Sequence, residues 1–236
     1  MLEVRNIAFS YGSRPILRDV SFEASPGEVI CLVGANGAGK TTLLKVLATL
    51  SVPDSGSLAL DGVDAVSRPL RYRRQLGYMP EHIALYDDMR VKDYLNFRAR
   101  LKGEVPKRIR RRVEEACELC RLGPLGRKVI GTLSAGQRKR VAFADAVLLR
   151  PRVLLLDDFF SELDIEMRET APEVFSAVAA FSSVVITGHE LADLARCSTR
   201  FLVLRDGTVS SSLPAAGLAP AELRAKVCAM LKGGRR

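Results

Sequence analysis

Long apolar runs are missing from this chain of 236 residues. Runs such as Val153–Leu156 and Val184–Ile186 fall far short of the roughly 20 residues that a membrane-spanning helix needs. The first residues, Met1-Leu2-Glu3-Val4-Arg5, lack the basic start and apolar stretch of an export signal, so a cytoplasmic protein is expected. Cysteine is sparse. Cys31, Cys117, Cys120, Cys197 and Cys228 form an odd set, which fits reduced thiols and excludes a disulfide scaffold. Cys117 and Cys120 have the CxxC spacing, but no second pair or nearby histidine completes a zinc site. On a helix the two thiols would share one face, against the core. No internal repeat or low-complexity tract stands out, and 18 Gly and 11 Pro are ordinary globular values that exclude a collagen-like or disordered chain.

What the chain does have is a sizeable apolar fraction, 47%, and a net charge of +9. This length suits one large domain or a core with a modest subdomain. Between Arg98 and Arg112 stand eight basic residues and one acid, Glu104, so much of the excess charge is local. An exposed helical face is the simplest account of such a run. β-like runs occur at Leu2–Phe9, Val20–Glu23 and Glu28–Val33, with turn signals at Tyr11-Gly12 and Ser25-Pro26-Gly27. The continuously apolar Val29–Val33 is expected to be a strand buried on both faces. Leu43, Leu44, Leu47 and Leu50 then carry helical spacing. Further strands are expected at Ser57–Leu60, Val153–Leu156, Ser183–Thr187 and Phe201–Arg205. Helices are expected over 91–101, 107–122, 135–149 and 165–181, with a short one after His189. Alternating β and α units predict an α/β fold with a mostly parallel sheet. The stretch from about 82 to 132 lacks strand signals and reads as an inserted helical subdomain.

The strongest single signal is Gly34-Ala35-Asn36-Gly37-Ala38-Gly39-Lys40-Thr41, a GxxxxGK(S/T) loop between a buried strand and an amphipathic helix. Small residues let successive backbone N–H groups curl around phosphate oxygens, and the helix N-terminus adds its positive dipole. Lys40 would reach the β- and γ-phosphates, and the Thr41 hydroxyl suits Mg²⁺, with Thr42 beside it. Roughly 0.01 accidental matches are expected in a chain this long. An acidic partner follows at Asp157-Asp158, delivered by an apolar strand to the edge where α/β sheets bind ligands. Asp157 would hold Mg²⁺, and Asp158 would orient or deprotonate the attacking water.

Leu133-Ser134-Ala135-Gly136-Gln137, shortly before that strand, resembles the LSGGQ signature of the ATP-binding-cassette (ABC) ATPases, and residues 2–210 resemble their nucleotide-binding subunits. The resemblance implies a P-loop core with a small antiparallel β subdomain and an inserted helical one. It implies an ABC ATPase domain over 1–210, with 211–236 a partly helical tail. Position by position, Tyr11 matches the aromatic residue that stacks on adenine, and Glu81 stands in the Q-loop as a metal-capable ligand. Ser134, Ala135, Gly136 and Gln137 match the signature that acts in trans, in which Ser134 and Gly136 match the residues that contact the γ-phosphate bound by the opposite subunit. Asp164 matches the D-loop aspartate at the dimer seam, and His189 the switch histidine. ATP and Mg²⁺ are the implied ligands. A second ABC subunit and a transmembrane permease are the implied partners, at the cytoplasmic face of the cell membrane; nucleic acid is not expected.

Three positions depart from the family pattern. Asp158 stands where glutamate is usual, one methylene short. Glu81 replaces the Q-loop glutamine, as in subunits resembling ABC exporters. Phe159-Phe160-Ser161-Glu162 replaces Pro-Thr-Ser-Gly, and two exposed phenylalanines there would alter the dimer seam or a coupling surface. The resulting expectation is an ATP-hydrolysing subunit that energises a transporter, most like the export type. Two alternatives stand beside it: a slow nucleotide-gated subunit paired with an active sister, and a soluble ABC ATPase acting on nucleic acid or ribosomes.

Overall fold

The computed structural model describes residues 1–215 and 220–232. Among the described residues, ten strands form one sheet in the order β5-β4-β1-β2-β10-β9-β3-β8-β7-β6. Its centre is parallel: β9 (Arg200–Arg205), β3 (Val29–Val33), β8 (Ser183–Thr187), β7 (Val153–Leu156) and β6 (Leu76–Met79). The other end is antiparallel, built by β2 (Arg14–Ala24), β1 (Leu2–Tyr11), β4 (Ser55–Leu60) and β5 (Val63–Asp64). β10 (Thr208–Pro214) joins the two, antiparallel to β9 and touching β2 through the single pair Thr208–Asp19.

The apolar run of β3 is buried on both faces, as its sequence requires. Val29, Cys31 and Val33 enter one core, and Ile30 and Leu32 enter the other. β7 divides in the same way, with Leu154 and Leu156 on the first side and Val153 and Leu155 on the second. The second core is closed by α1 (Lys40–Leu47) and the antiparallel strands. The first is closed by α3 (Val91–Leu101), α4 (Pro106–Leu119), α5 (Ala135–Val147), α6 (Ile165–Ala179) and α7 (Leu191–Cys197). Short α2 (Pro69–Arg73) precedes β6, and α8 (Pro220–Lys232) adds Leu223 and Val227 to the first core. The tail expectation also covers 216–219 and 233–236, which lie outside the described residues.

The first hairpin is longer than its sequence pattern: β2 begins at Arg14, paired with Tyr11, rather than at Val20. Gly12 permits this tight turn, because its φ of 59° is left-handed. Strand β6 carries no β signal, since Gly77 interrupts it. Glycine is needed there, because a Cβ on Gly77 would lie 2.3 Å from the Ala146 carbonyl oxygen.

The basic segment lies on α3, α4 and the turn between them, and much of its charge is met locally. Arg98 and Lys102 pair with Asp145, Arg110 with Glu114, Arg111 with Glu115, and Arg112 with Glu104 and Glu115. Cys117 and Cys120 are both buried on the core side of α4 and its C-terminus, and burial pushes both thiols up. Among the described residues no helix is long and apolar enough to cross a membrane.

Candidate functional site: a phosphate cleft at the sheet edge

The C-terminal ends of β3, β7 and β8 open onto one cleft of about 530 Å³. Tyr11, Asn36, Gly37, Gly39, Lys40, Thr41, Thr42, Glu81, Asp157, Asp158 and His189 line it, so most of the expected cleft residues converge. Ala35 and Ala38 instead line an adjoining recess beside Arg18 and Arg205. Gly34 is fixed by packing, since a Cβ there would lie 2.5 Å from the Leu204 carbonyl oxygen.

The loop between β3 and α1 bends through two left-handed glycines, Gly37 (φ 79°) and Gly39 (φ 101°). Gly39 caps α1, and a Cβ on it would strike the Leu17 side chain at 2.9 Å. Lys40 Nζ folds over the loop and donates to the Gly34 and Ala35 carbonyls at 2.8 and 3.1 Å. Burial lowers the Lys40 pKa, while the nearby Asp157 and Asp158 carboxylates oppose that shift. An anion placed here would meet a partly desolvated ammonium and the N-terminus of α1.

Asp157 is 2% exposed at the end of β7. Its Oδ1 accepts from Thr187 Oγ1 at 2.7 Å and from Thr41 Oγ1 at 3.2 Å, while its Oδ2 is buried with no partner. Burial pushes this carboxyl up, against the two hydroxyl bonds. A buried oxygen lacking a donor, beside the Thr41 hydroxyl, fits a hard divalent cation that takes its remaining ligands from phosphate and water. Among the described residues no group of three or more His, Cys, Asp or Glu forms a cage by itself. Mg²⁺ is commonly held by one or two carboxylates together with substrate phosphates, a role that Asp157 beside Thr41 would suit.

Asp158 follows in the left-handed region, φ 49°, which aspartate tolerates better than most residues. Its N–H donates to Thr187 Oγ1 at 2.9 Å, and its Oδ1 is buried without a partner. Thr187 thus serves both acids, donating to one side chain and accepting from the other's backbone. His189 is exposed at the rim, two residues beyond Thr187. Tyr11 stands 51% exposed at the opposite rim, its ring edge-on to Phe9 at 4.9 Å. A free aromatic face at the mouth suits a planar base.

The signature set lies elsewhere. None of Ser134, Ala135, Gly136, Gln137 and Asp164 lines this cleft. Ser134 caps α5 in a reciprocal box: its hydroxyl accepts from Gln137 N–H at 3.3 Å, and Gln137 Oε1 accepts from Ser134 N–H at 3.2 Å. Gly136 packs on the loop after β7, where a Cβ would lie 3.0 Å from the Asp164 nitrogen. Asp164 caps α6 through Met167 N–H and accepts from Arg140 at 2.6 Å.

Phe159 and Phe160 correct the sequence expectation. Both are 0% exposed, so neither forms a seam or coupling surface. Phe159 stacks edge-on against Phe143 at 5.0 Å, Phe175 at 5.2 Å and Phe160 at 5.2 Å. The loop turns inward because burying two aromatic rings between α5 and α6 is worth several kcal/mol, roughly 1.5–3 for each.

Sequence reasoning missed several residues. Arg14, Ile16, Thr187 and Gly188 also line the cleft; the first two belong to no motif, and the last two flank the switch histidine without a role of their own in the sequence reading. Two cations of α5, Lys139 and Arg140, are 3% and 6% exposed. Arg140 bonds both Asp164 and Glu166, at 2.6 and 2.7 Å. Their signal was faint: Arg138-Lys139-Arg140 reads as a solvated run, although its helical spacing turns the last two inward.

A glycine loop cradling an ammonium, two acids at the end of the next strand but one, and an exposed aromatic rim define a P-loop nucleotide-binding cassette. The chain belongs to the ABC transporter family, whose model matches residues 17–161. Its relatives include the sulfate/thiosulfate import ATP-binding protein CysA of Methylococcus capsulatus, 37% identical over 88% of this chain and 61% of that one. The spermidine/putrescine import ATP-binding protein PotA of Nitrosospira multiformis is 38% identical over 72% of this chain and 46% of its own length. The chain thus spans about half to three-fifths of these relatives' length. A solved ATP binding subunit of an ABC transporter superposes with a TM-score of 0.85 at 27% identity, covering 97% of this chain and 99% of that one. The dimeric bacterial ABC transporter cassette MJ0796 shares the fold, with a TM-score of 0.82 at 23% identity over 92% of this chain and 100% of that one.

Proposed function

We propose that this chain binds and hydrolyses ATP with Mg²⁺ as one of two cassettes that energise a membrane permease, held at the cytoplasmic face of the membrane through that permease. The observation that carries this reading is the meeting of Lys40, Asp157 and Asp158 in one cleft, with both acids keeping an unpartnered buried oxygen. Lys40 exchanges its loop carbonyls for phosphate oxygens, and Tyr11 stacks on the base. Asp157 and Thr41 hold the metal, with Glu81 beside them; when bound, Mg²⁺ neutralises phosphate charge. Asp158 accepts a proton from the water that attacks the γ-phosphorus. The bond from that phosphorus to the bridging oxygen breaks, leaving ADP and inorganic phosphate. His189 reaches from the rim towards the γ-phosphate.

The signature residues stand outside their own chain's cleft, so they serve a second subunit's nucleotide in a head-to-tail pair. The relatives' names favour an importing permease over the export type expected from Glu81. The alternative of nucleic acid as a partner is disfavoured, because much of the charge over 98–112 is paired with neighbouring acids. Calorimetry of ATP–Mg²⁺ binding to wild type and Lys40→Ala, with ATPase assays alongside, tests the reading. Micromolar to millimolar binding that is lost in the variant supports it, and equal affinity of the two proteins overturns it.

A further inference from the structure

The residue after the metal carboxylate needs more than a tolerant backbone to stay in place. Asp158 holds a φ of 49° on a loop whose neighbours, Phe159 and Phe160, are pulled down into the core. Two polar groups grip its main chain from opposite sides. Thr187 accepts its N–H at 2.9 Å, and Lys139 Nζ, reaching up from α5, donates to its carbonyl at 2.7 Å. The same ammonium also donates to the Ser161 carbonyl, so it spans the turn from 158 to 161.

A lysine with 3% exposure is a costly way to satisfy two carbonyls. Its burial lowers its pKa, and the facing carboxylates of Asp158, Glu162, Glu190 and Glu81 work against that shift. Asp158 and Glu81 line the cleft, so the ammonium lies within reach of the charge of two cleft carboxylates. The opposed carboxylates would repel one another and the nucleotide without a buried cation among them. Neither packing nor capping accounts for this arrangement. α5 is capped by Ser134, and Arg140 already ties the helix to α6.

Resting on the hydrolytic reading above, we propose that Lys139 is a positioning residue for Asp158: its ammonium, bonded across the Asp158–Ser161 turn, fixes the left-handed backbone that aims the Asp158 carboxylate into the cleft. Lys139 does not touch the nucleotide. Its removal lets the turn relax, and a shift of about 1 Å in a reacting group costs on the order of a hundredfold in rate. ATP affinity, which is set by the glycine loop and Lys40 across the cleft, is left alone.

The test compares the full chain with Lys139→Met and Lys139→Arg by steady-state ATPase assay, ATP calorimetry and nucleotide-free crystal structures. Methionine keeps the length and removes the donor; arginine keeps the charge and offers a fork of donors to two carbonyls. Lys139→Met is expected to lose kcat by about 10- to 100-fold while KM and the ATP Kd stay within about threefold. Its Asp158 is expected to leave the left-handed region, and Lys139→Arg to recover at least a third of the rate. A Lys139→Met rate within twofold of wild type overturns the proposal. So does a parallel loss of rate and affinity, or an Asp158 that keeps its conformation in the Lys139→Met crystals. If wild type binds no ATP the hydrolytic reading fails separately, and the conformation of Asp158 in the crystals still decides the role of Lys139.

Discussion

Two loops face each other across the nucleotide cleft, and they are built in opposite ways. The phosphate loop, residues 34–39, takes its shape from its own composition: two left-handed glycines bend it, and Lys40 closes it with bonds to Gly34 and Ala35. The acidic loop, residues 157–164, takes its shape from elsewhere. Thr187 of β8, Lys139 and Arg140 of α5, and the rings of Phe143 and Phe175 hold it from outside. The first loop carries most of its instructions with it, and leans on the fold only where Leu204 and Leu17 crowd Gly34 and Gly39. The second is tenable only inside this fold. Binding should therefore tolerate distant change, whereas turnover should answer to residues far along the chain.

Substitutions can break that contrast. Asp158→Asn is expected to remove hydrolysis by about 10²- to 10⁴-fold, the worth of a positioned base, while ATP affinity in calorimetry stays near wild type. Equal turnover of the two proteins would take Asp158 out of the reaction. Phe159→Ala should lower stability by about 3–5 kcal/mol in urea unfolding, because it opens a cavity among Phe143, Phe160 and Phe175. In the fraction that remains folded, ATP binding should survive. Joint loss of binding would show that the two loops are not independent. Lys40→Ala is expected to weaken ATP binding by at least about tenfold, through the loss of charge-assisted phosphate bonds.

Smaller effects sharpen the contrast. Asp158→Glu extends the carboxylate by one methylene and should raise kcat several-fold with little change in affinity, read in a steady-state assay. The gain is limited because glutamate is less at home than aspartate at a φ of 49°. Smallest of all, Arg110→Ala on α4 removes an exposed i,i+4 pair with Glu114. It should leave the thermal unfolding midpoint, ATP binding and turnover indistinguishable from wild type, because solvent screens so exposed a pair.

The same contrast explains what was legible in the sequence. The P-loop could be read because residue type alone dictates its backbone. The buried strands β3, β7 and β8 could be read because continuous apolar runs have few other uses. Asp157 and Asp158 were found by following one such strand to its end. Thr187 was not, because a hydroxyl at a strand terminus has no pattern until the acid beside it is known. Lys139 hid in a charged run, where periodicity alone separates the inward cation from half-buried Arg138 before it. Phe159 and Phe160 were misjudged because Asp158, Ser161 and Glu162 around them suggested a surface loop. Only the fold shows that the surface stops at the backbone there. β6 escaped notice because Gly77 is chosen for the closeness of the Ala146 carbonyl, a constraint set 69 positions away.

The tight fit of Gly136 against the loop after β7 carries a lesson about mutational drift. The family's signature has two adjacent glycines, and this chain has already lost the first to Ala135. That position is exposed in the single chain, so a methyl group there strikes nothing of its own subunit. The second has no such freedom, because any Cβ would press within 3.0 to 3.2 Å of Asp164 and the Glu162 carbonyl. The packing of the subunit therefore demands glycine at the second position and not at the first. Within one subunit, position 135 has room for a side chain and position 136 has none.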